Sequence, residues 1–212
     1  MCAVDSSIRA LLRAAPVVPV YTPGNTEEAV RVAQCLVRGG LPIIEVTLRN
    51  ARAIDAARAV VEWVPEAIVA VGTVLHARQL EQARQLGVHF AVSPGLDPRL
   101  LDCAREIGLP YLPGIATPSE LMQGIRAGVD TFKFFPAEQA GGAAMLASFA
   151  GPFPDARFCP TGGITAASAP HYLRLPNVLC VGGSWVLPAG ALSGHDWSAI
   201  ETLARQATAL RS

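Results

Sequence analysis

The sequence is almost without lysine. Lys133 is the only one in 212 residues, and every other basic residue is arginine. A chain that takes the guanidinium everywhere else but keeps one primary amine has a use for something arginine cannot supply. Other absences narrow the field. Seventeen acids cancel seventeen bases, and a net charge near zero excludes the basic face of a nucleic-acid or membrane-surface binder. The five cysteines, Cys2, Cys35, Cys103, Cys159 and Cys180, are odd in number and form no CxxC pair. That argues against a disulfide framework and for a reducing, cytoplasmic setting. There is no secretory h-region at the N-terminus and no apolar run near the roughly 20 residues of a membrane span. His76, His89, His171 and His195 show no metal-ligand spacing, and no GxGxxG follows the first strand-like run. Neither a metal nor another cofactor is expected.

What is present suits a compact protein: 51% of residues are apolar and 16% charged. "MCAVDSSIRALLRAAP" reads as an amphipathic helix. After it, short β-rich runs alternate with helical patterns. The strand candidates are residues 16–21, 42–48, 67–73, 89–94, 109–115, 130–135, 156–161 and 177–183. Between them lie helical segments such as "TEEAVRVAQCLVRGG" and "HARQLEQARQLG", the latter ending in a helix-stopping glycine. Strands alternating with helices imply parallel pairing. Eight such units predict a single-domain (β/α)8 TIM barrel over residues 1–212, with an extra N-terminal helix. The length sits at the short end for that fold and leaves no room for long insertions. A doubly wound open sheet is the alternative, but it usually has fewer strands.

In such a barrel the chemistry lies at the C-terminal ends of the strands. Strand two ends in Glu45, Thr47 and Arg49, strand three in Thr73, and strand four in Ser93-Pro94. Strand six carries Lys133, strand seven ends in Thr161-Gly162-Gly163, and strand eight in Gly182-Gly183-Ser184. Side chains alternate faces along a strand. In "IIEVTLR" the all-apolar set Ile44, Val46 and Leu48 faces the helices, so Glu45 points inward. In "TFKFF", Phe132 and Phe134 pack outward and Lys133 points inward. Burial disfavours a charged amine, whereas a nearby carboxylate favours it. An uncharged amine can attack a carbonyl and form a Schiff base, which a guanidinium cannot. The plainer reading makes Lys133 a structural ion-pair partner of Glu45. Two glycine pairs, in "PTGGIT" and "VGGSW", fall in the loops after strands seven and eight, the usual phosphate site of these barrels. The plainer reading there is two tight turns. Arg49 is suited to bidentate recognition of a carboxylate, or is a solvated rim charge.

With these residues in view, a family resemblance stands out. "GLPIIEVTLRN" and "GVDTFKFFPAEQAGG" resemble the two signatures of the 2-keto-3-deoxy-6-phosphogluconate (KDPG) aldolase / 4-hydroxy-2-oxoglutarate (KHG) aldolase family. "VGTVL", "AVSPGLDP", "YLPGIATPSE", "GPFPDARFCPTGGI" and "LCVGGSW" resemble further family segments, in family order. The resemblance implies a homotrimeric class I aldolase acting on a phosphorylated 2-keto acid. It implies Lys133 as the Schiff-base lysine and Glu45 as the proton shuttle. It also implies Arg49 and Thr73 as holders of the pyruvyl carboxylate, Pro94 as a pocket wall, and Thr161 in stereochemical discrimination. Gly162, Gly163, Gly183 and Ser184 would receive the phosphate, with Ser184 favouring the gluconate-derived substrate over its galactonate epimer. Some relatives carry a basic residue at the end of strand one. This chain has Tyr21-Thr22-Pro23-Gly24, which leaves more of the anion binding to backbone amides. The competing classes are an acid–base phospho-sugar isomerase and a non-catalytic phosphate-binding barrel.

Overall fold

The computed structural model of the chain describes residues 3–211. A helix, α1 (Ala3–Leu12), precedes the first strand. The strands are β1 (Val17–Tyr21), β2 (Ile43–Thr47), β3 (Ile68–Gly72), β4 (Phe90–Val92), β5 (Tyr111–Leu112), β6 (Gly114–Ile115), β7 (Thr131–Phe134), β8 (Arg157–Pro160) and β9 (Val181–Gly183). Helices α2 (Thr26–Arg38), α3 (Ala53–Trp63), α4 (Ala77–Leu86), α5 (Pro98–Glu106), α6 (Pro118–Arg126), α7 (Gly142–Phe149), α8 (Ala169–Leu173), α9 (Ala189–Ser193) and α10 (Trp197–Thr208) follow the strands.

The strand pairings are parallel and form two sheets, β5-β4-β3-β2-β1-β9 and β6-β7-β8. The architecture is an α/β fold with a curled parallel sheet. The single run expected at 109–115 is two strands here because of Pro113. Proline has no N–H to give to a ladder, so the chain passes from one sheet to the next at that residue. The Pro113 carbonyl accepts from the Lys133 amide, and the Gly114 amide donates to Gly95 O. The last run ladders only over 181–183 rather than from 177. Single parallel bridges join it to the β8 side, Phe158 with Val178 ahead of the ladder and Thr161 with Gly182 within it.

Local sequence explains why the helices begin just past the strand ends. Asn25 caps α2 by accepting from Glu28 N at 2.8 Å, with Glu27 and Glu28 in the first turn, where negative charge suits the helix dipole. A Thr117–Glu120 capping box with Pro118 starts α6. Gly87 at φ 75° closes α4 in the left-handed region that glycine occupies freely.

Packing then decides which way β7 faces. Phe132 and Phe134 are fully buried. Phe134 meets Phe149 of α7 edge-on at 6.2 Å between centroids, and Phe149 meets Phe158 at 5.8 Å. On α6, Gly124 leaves room for the Phe132 ring, which a Cβ there would approach to 2.3 Å. Each buried ring contributes about 1.5–3 kcal/mol. With both rings committed to the helix side, Lys133 between them has only the inner side.

α1 is fixed to the opposite end of the same strand. Arg9 pairs with Asp130 at 2.6 Å and donates to Thr131 Oγ1 at 3.0 Å and to Asp155 O at 2.7 Å. The Arg9–Asp130 pair is half-buried, so its charge-assisted bonds are only partly screened. Arg9→Ala is expected to lower stability by about 1–2 kcal/mol in urea unfolding, with the slope unchanged. A loss within experimental error would show that α1 docks by its apolar face alone.

Candidate active site

Lys133 and Glu45 meet inside the molecule. The Lys133 Nζ donates to Glu45 Oε1 at 3.0 Å and to Oε2 at 3.3 Å. The side chains are 7% and 4% exposed, so the pair is nearly closed to water without being sealed. A primary amine and a carboxylate at this distance can exchange one proton directly. The amine also lies 5.4 Å from the centroid of the Phe135 ring, a cation–π distance for its charged form.

Neighbouring strands make room for the pair. Gly72, on β3, lies one strand from Glu45, and a Cβ built there would stand 2.1 Å from Glu45 Oε1. Any side chain at 72 would push the carboxylate off its present line to Lys133. On the other flank Gly114 pairs in register with Lys133, and a Cβ there would stand 2.3 Å from the Pro94 carbonyl. Pro94 is thereby brought against the strand beside the lysine. Its turn is held from below: the Tyr111 hydroxyl donates to Ser93 Oγ at 2.6 Å, and Ser93 Oγ donates to Gly95 O. Burial pushes the Tyr111 phenol up to about 12, so it remains a donor.

Arg49 and Thr73 also meet, with Arg49 Nε donating to Thr73 Oγ1 at 3.3 Å. Thr73 has φ 61°. A β-branched residue in the left-handed region is strained, and such outliers gather at functional sites. Thr47, fully buried, donates to Tyr21 O at 3.2 Å and shares a 2.8 Å hydrogen bond with Thr22 Oγ1. It ties the end of β2 to the end of β1.

Beside the pair opens a cavity of about 540 Å³. Arg49, Thr161, Gly162, Gly163, Gly183 and Ser184 line it; Lys133, Glu45, Thr73 and Pro94 do not. Phe135 belongs to the wall, and its ring lies 5.4 Å from the amine, linking the cavity to the pair. Gly162 and Gly163 have φ 107° and 77°, values that glycine adopts without strain. Among the described residues, the amides of Gly162, Gly163, Ile164 and Ser184 donate to no backbone carbonyl. They are therefore available to an anion. Gly182 admits the Thr161 side chain, whose Oγ1 lies 2.2 Å from where a Cβ would stand.

Sequence reasoning missed several contributors. Tyr21 and Thr22 line the same cavity, although the end of β1 carries no basic residue. Gln139 lines it too, from a run of turns after β7. Glu138 belongs to the same run, since α7 begins only at Gly142. Gly72 could have been found from "VAVGT", since a glycine closing a strand beside a catalytic candidate often marks close approach. Among the described residues, no group of three metal-capable side chains occurs, and no helix is long and apolar enough to cross a membrane.

Comparison with known proteins fits this arrangement. A family model described as "Aldolase: KDPG and KHG aldolase" matches residues 8–203. The KHG/KDPG aldolase of Escherichia coli (strain K12) is 50% identical over 202 residues, covering 95% of each chain. The crystal structure of the 2-keto-3-deoxy-6-phosphogluconate aldolase of Zymomonas mobilis ZM4 with 3-phosphoglycerate superposes with a TM-score of 0.91 at 46% identity. It covers 99% of this chain and 97% of its own. The KDPG aldolase of Legionella pneumophila, with pyruvate captured at low pH as a covalent carbinolamine intermediate, superposes with a TM-score of 0.92 at 42% identity. That match covers 94% of this chain and 97% of its own.

Gly72→Ala tests the placement of the carboxylate. The variant is expected to keep its far-UV circular dichroism and lose at least about tenfold in kcat, since shifts near 1 Å at a reacting group can cost up to about 10²-fold. A kcat within twofold of the parent would show that Glu45 tolerates the displacement.

Proposed function

The chain belongs to the KDPG and KHG aldolase family, and from that premise we propose that it is a class I aldolase, an aldehyde-lyase. It cleaves 2-keto-3-deoxy-6-phosphogluconate to pyruvate and glyceraldehyde 3-phosphate. 4-Hydroxy-2-oxoglutarate, split to pyruvate and glyoxylate, is the second substrate. The observation that carries this reading is the buried Lys133 Nζ at 3.0 Å from Glu45.

The chemistry runs as follows. The ion pair passes its proton to Glu45, and the freed amine adds to the C2 carbonyl. Proton transfers through Glu45 turn the carbinolamine oxygen into water, which leaves, and an iminium forms. The carbinolamine captured in the Legionella enzyme corresponds to the adduct assigned here to Lys133. The iminium draws electrons. Glu45 removes the C4 hydroxyl proton, the C3–C4 bond breaks, and its electron pair enters the enamine as the aldehyde departs. Protonation at C3 and addition of water at C2 release pyruvate and return the amine. Arg49 and Thr73, already in contact, hold the carboxylate of the keto acid. Pro94 walls the pyruvyl end, and Thr161 faces the cleaved bond. Gly162, Gly163, Gly183 and Ser184 bind the phosphate through backbone amides and the serine hydroxyl. Phosphate is remote from the reacting carbons, so its binding energy serves orientation.

The same reading extends to the architecture. The two sheets form one closed (β/α)8 barrel, with Pro113 dividing the fifth strand and the 158–178 and 161–182 bridges spanning the last gap. α1 is then the additional N-terminal helix. Among the described residues Cys35, Cys103 and Cys159 are free thiols, which supports work in a reducing cytoplasm. Family membership supports a homotrimer, and sedimentation velocity reads that directly.

The assay couples pyruvate release to NADH oxidation by lactate dehydrogenase, with each substrate in turn. The parent enzyme is expected to give the larger specificity constant with the phosphorylated substrate. Glu45→Gln is expected to lose at least about 10²-fold in kcat while remaining folded, the usual scale of general acid–base catalysis. Near-normal turnover in Glu45→Gln would remove that residue from the mechanism, and no pyruvate from either substrate would refute the activity.

A further inference from the structure

The glycine loop 161–163 does not stand alone. The turns that follow β7 lie directly against it. Ala137 N donates to Thr161 O at 2.8 Å, and Glu138 N donates to Gly162 O at 3.1 Å. A Cβ on Gly163 would lie 2.7 Å from Glu138 Cγ, so the stem of Glu138 is flat against the loop. This places a carboxylate next to a proposed phosphate cradle, which on charge grounds is the wrong group.

The structure shows where that charge is kept. Glu138 Oε1 accepts from the Tyr172 hydroxyl at 2.8 Å, and Tyr172 is buried on α8. Burial and the nearby carboxylate push the Tyr172 phenol well above its ordinary range, so it donates at any working pH. Glu138 Oε2 lies 3.9 Å from where a Cβ on Gly142 would stand, at the first residue of α7. The positive end of a helix dipole favours an anion there. Pro136, Gln139, Gly162 and Gly163 line the cavity, and Glu138 does not.

We infer that Glu138 and Tyr172 are a positioning pair for the 161–163 loop. The Glu138 stem braces Gly163, and Tyr172 holds the carboxylate out of the cavity. The pair thereby sets the preference for phosphorylated over unphosphorylated 2-keto acids. This rests on the reading of the loop as the phosphate cradle.

The readout is the ratio of kcat/KM for 2-keto-3-deoxy-6-phosphogluconate to that for 4-hydroxy-2-oxoglutarate. Tyr172→Phe frees the carboxylate to swing toward the cavity. It is expected to lower the ratio roughly fivefold, mainly through KM of the phosphorylated substrate, the scale of repulsion between partly screened charges. Adding Glu138→Gln to that variant removes the charge and is expected to restore the ratio to within about twofold of the parent. A merely structural role for Tyr172 would lower both activities together and leave the ratio fixed; that result, or no rescue in the double variant, overturns the inference. Should Tyr172→Phe not fold, Glu138→Asp, at an exposed position, draws the carboxylate back from Tyr172 but keeps the charge. It is expected to lower the ratio in the same sense, and an unchanged ratio would also overturn the inference. A parent enzyme with no phosphate preference and no competition by inorganic phosphate would refute the cradle itself, and the inference with it. That failure is visible before any variant is made.

Discussion

A primary amine and a carboxylate 3.0 Å apart, both nearly shut off from water, govern how the rest of this molecule is arranged. A buried ion pair is a poor way to gain stability, because desolvation takes back much of what the attraction supplies, and an apolar pair of similar size often does as well. Its presence at the centre of the fold is better understood as chemistry. The surrounding residues are consistent with that. Gly72 gives up its side chain so that the carboxylate has room, and Gly114 gives up its own so that Pro94 can come alongside. Phe132 and Phe134 fill the helix side of β7 so completely that Lys133 is left with the inner one.

The two halves of the site are mechanically joined. Lys133 sits on β7, and four residues beyond it, at Ala137, the same chain begins to support the glycine loop at the end of β8. A group bound at residues 161–163 would therefore press on a segment continuous with the Lys133 amine. The connection is short, backbone-bonded and free of long flexible side chains. It suits an enzyme that uses a distant phosphate to orient a carbonyl over its nucleophile. Thr73 contributes in a different way. Its strained φ of 61° is what brings its hydroxyl to the Arg49 guanidinium.

Much of this could be read from the sequence, and the limits have physical causes. Alternation along "IIEVTLR" and "TFKFF" identifies Glu45 and Lys133 as inward-facing, because period-two patterning is set by the pleat alone. Capped helices such as α4 and α6 announce their ends locally. The fifth strand is different. Pro113 lies inside a run that otherwise reads as continuous, and only the three-dimensional ladder shows the chain changing partners there. Val178 to Cys180 look like strand, but Val178 makes only a single bridge to Phe158 and the ladder starts at Val181, a matter of distance between neighbours that composition does not carry. Space-making by Gly72, and the Glu138–Tyr172 contact across 34 residues of chain, depend on which strands and helices come together. No local pattern encodes them.

The central claim is that the one lysine becomes a covalent carrier of the keto acid. Reduction with borohydride in the presence of pyruvate, followed by intact-mass and peptide mass spectrometry, tests it most directly. The account requires a single added pyruvyl unit, located on the peptide that contains Lys133. A folded protein that gains no mass, or gains it at the N-terminal amine instead, would contradict the account.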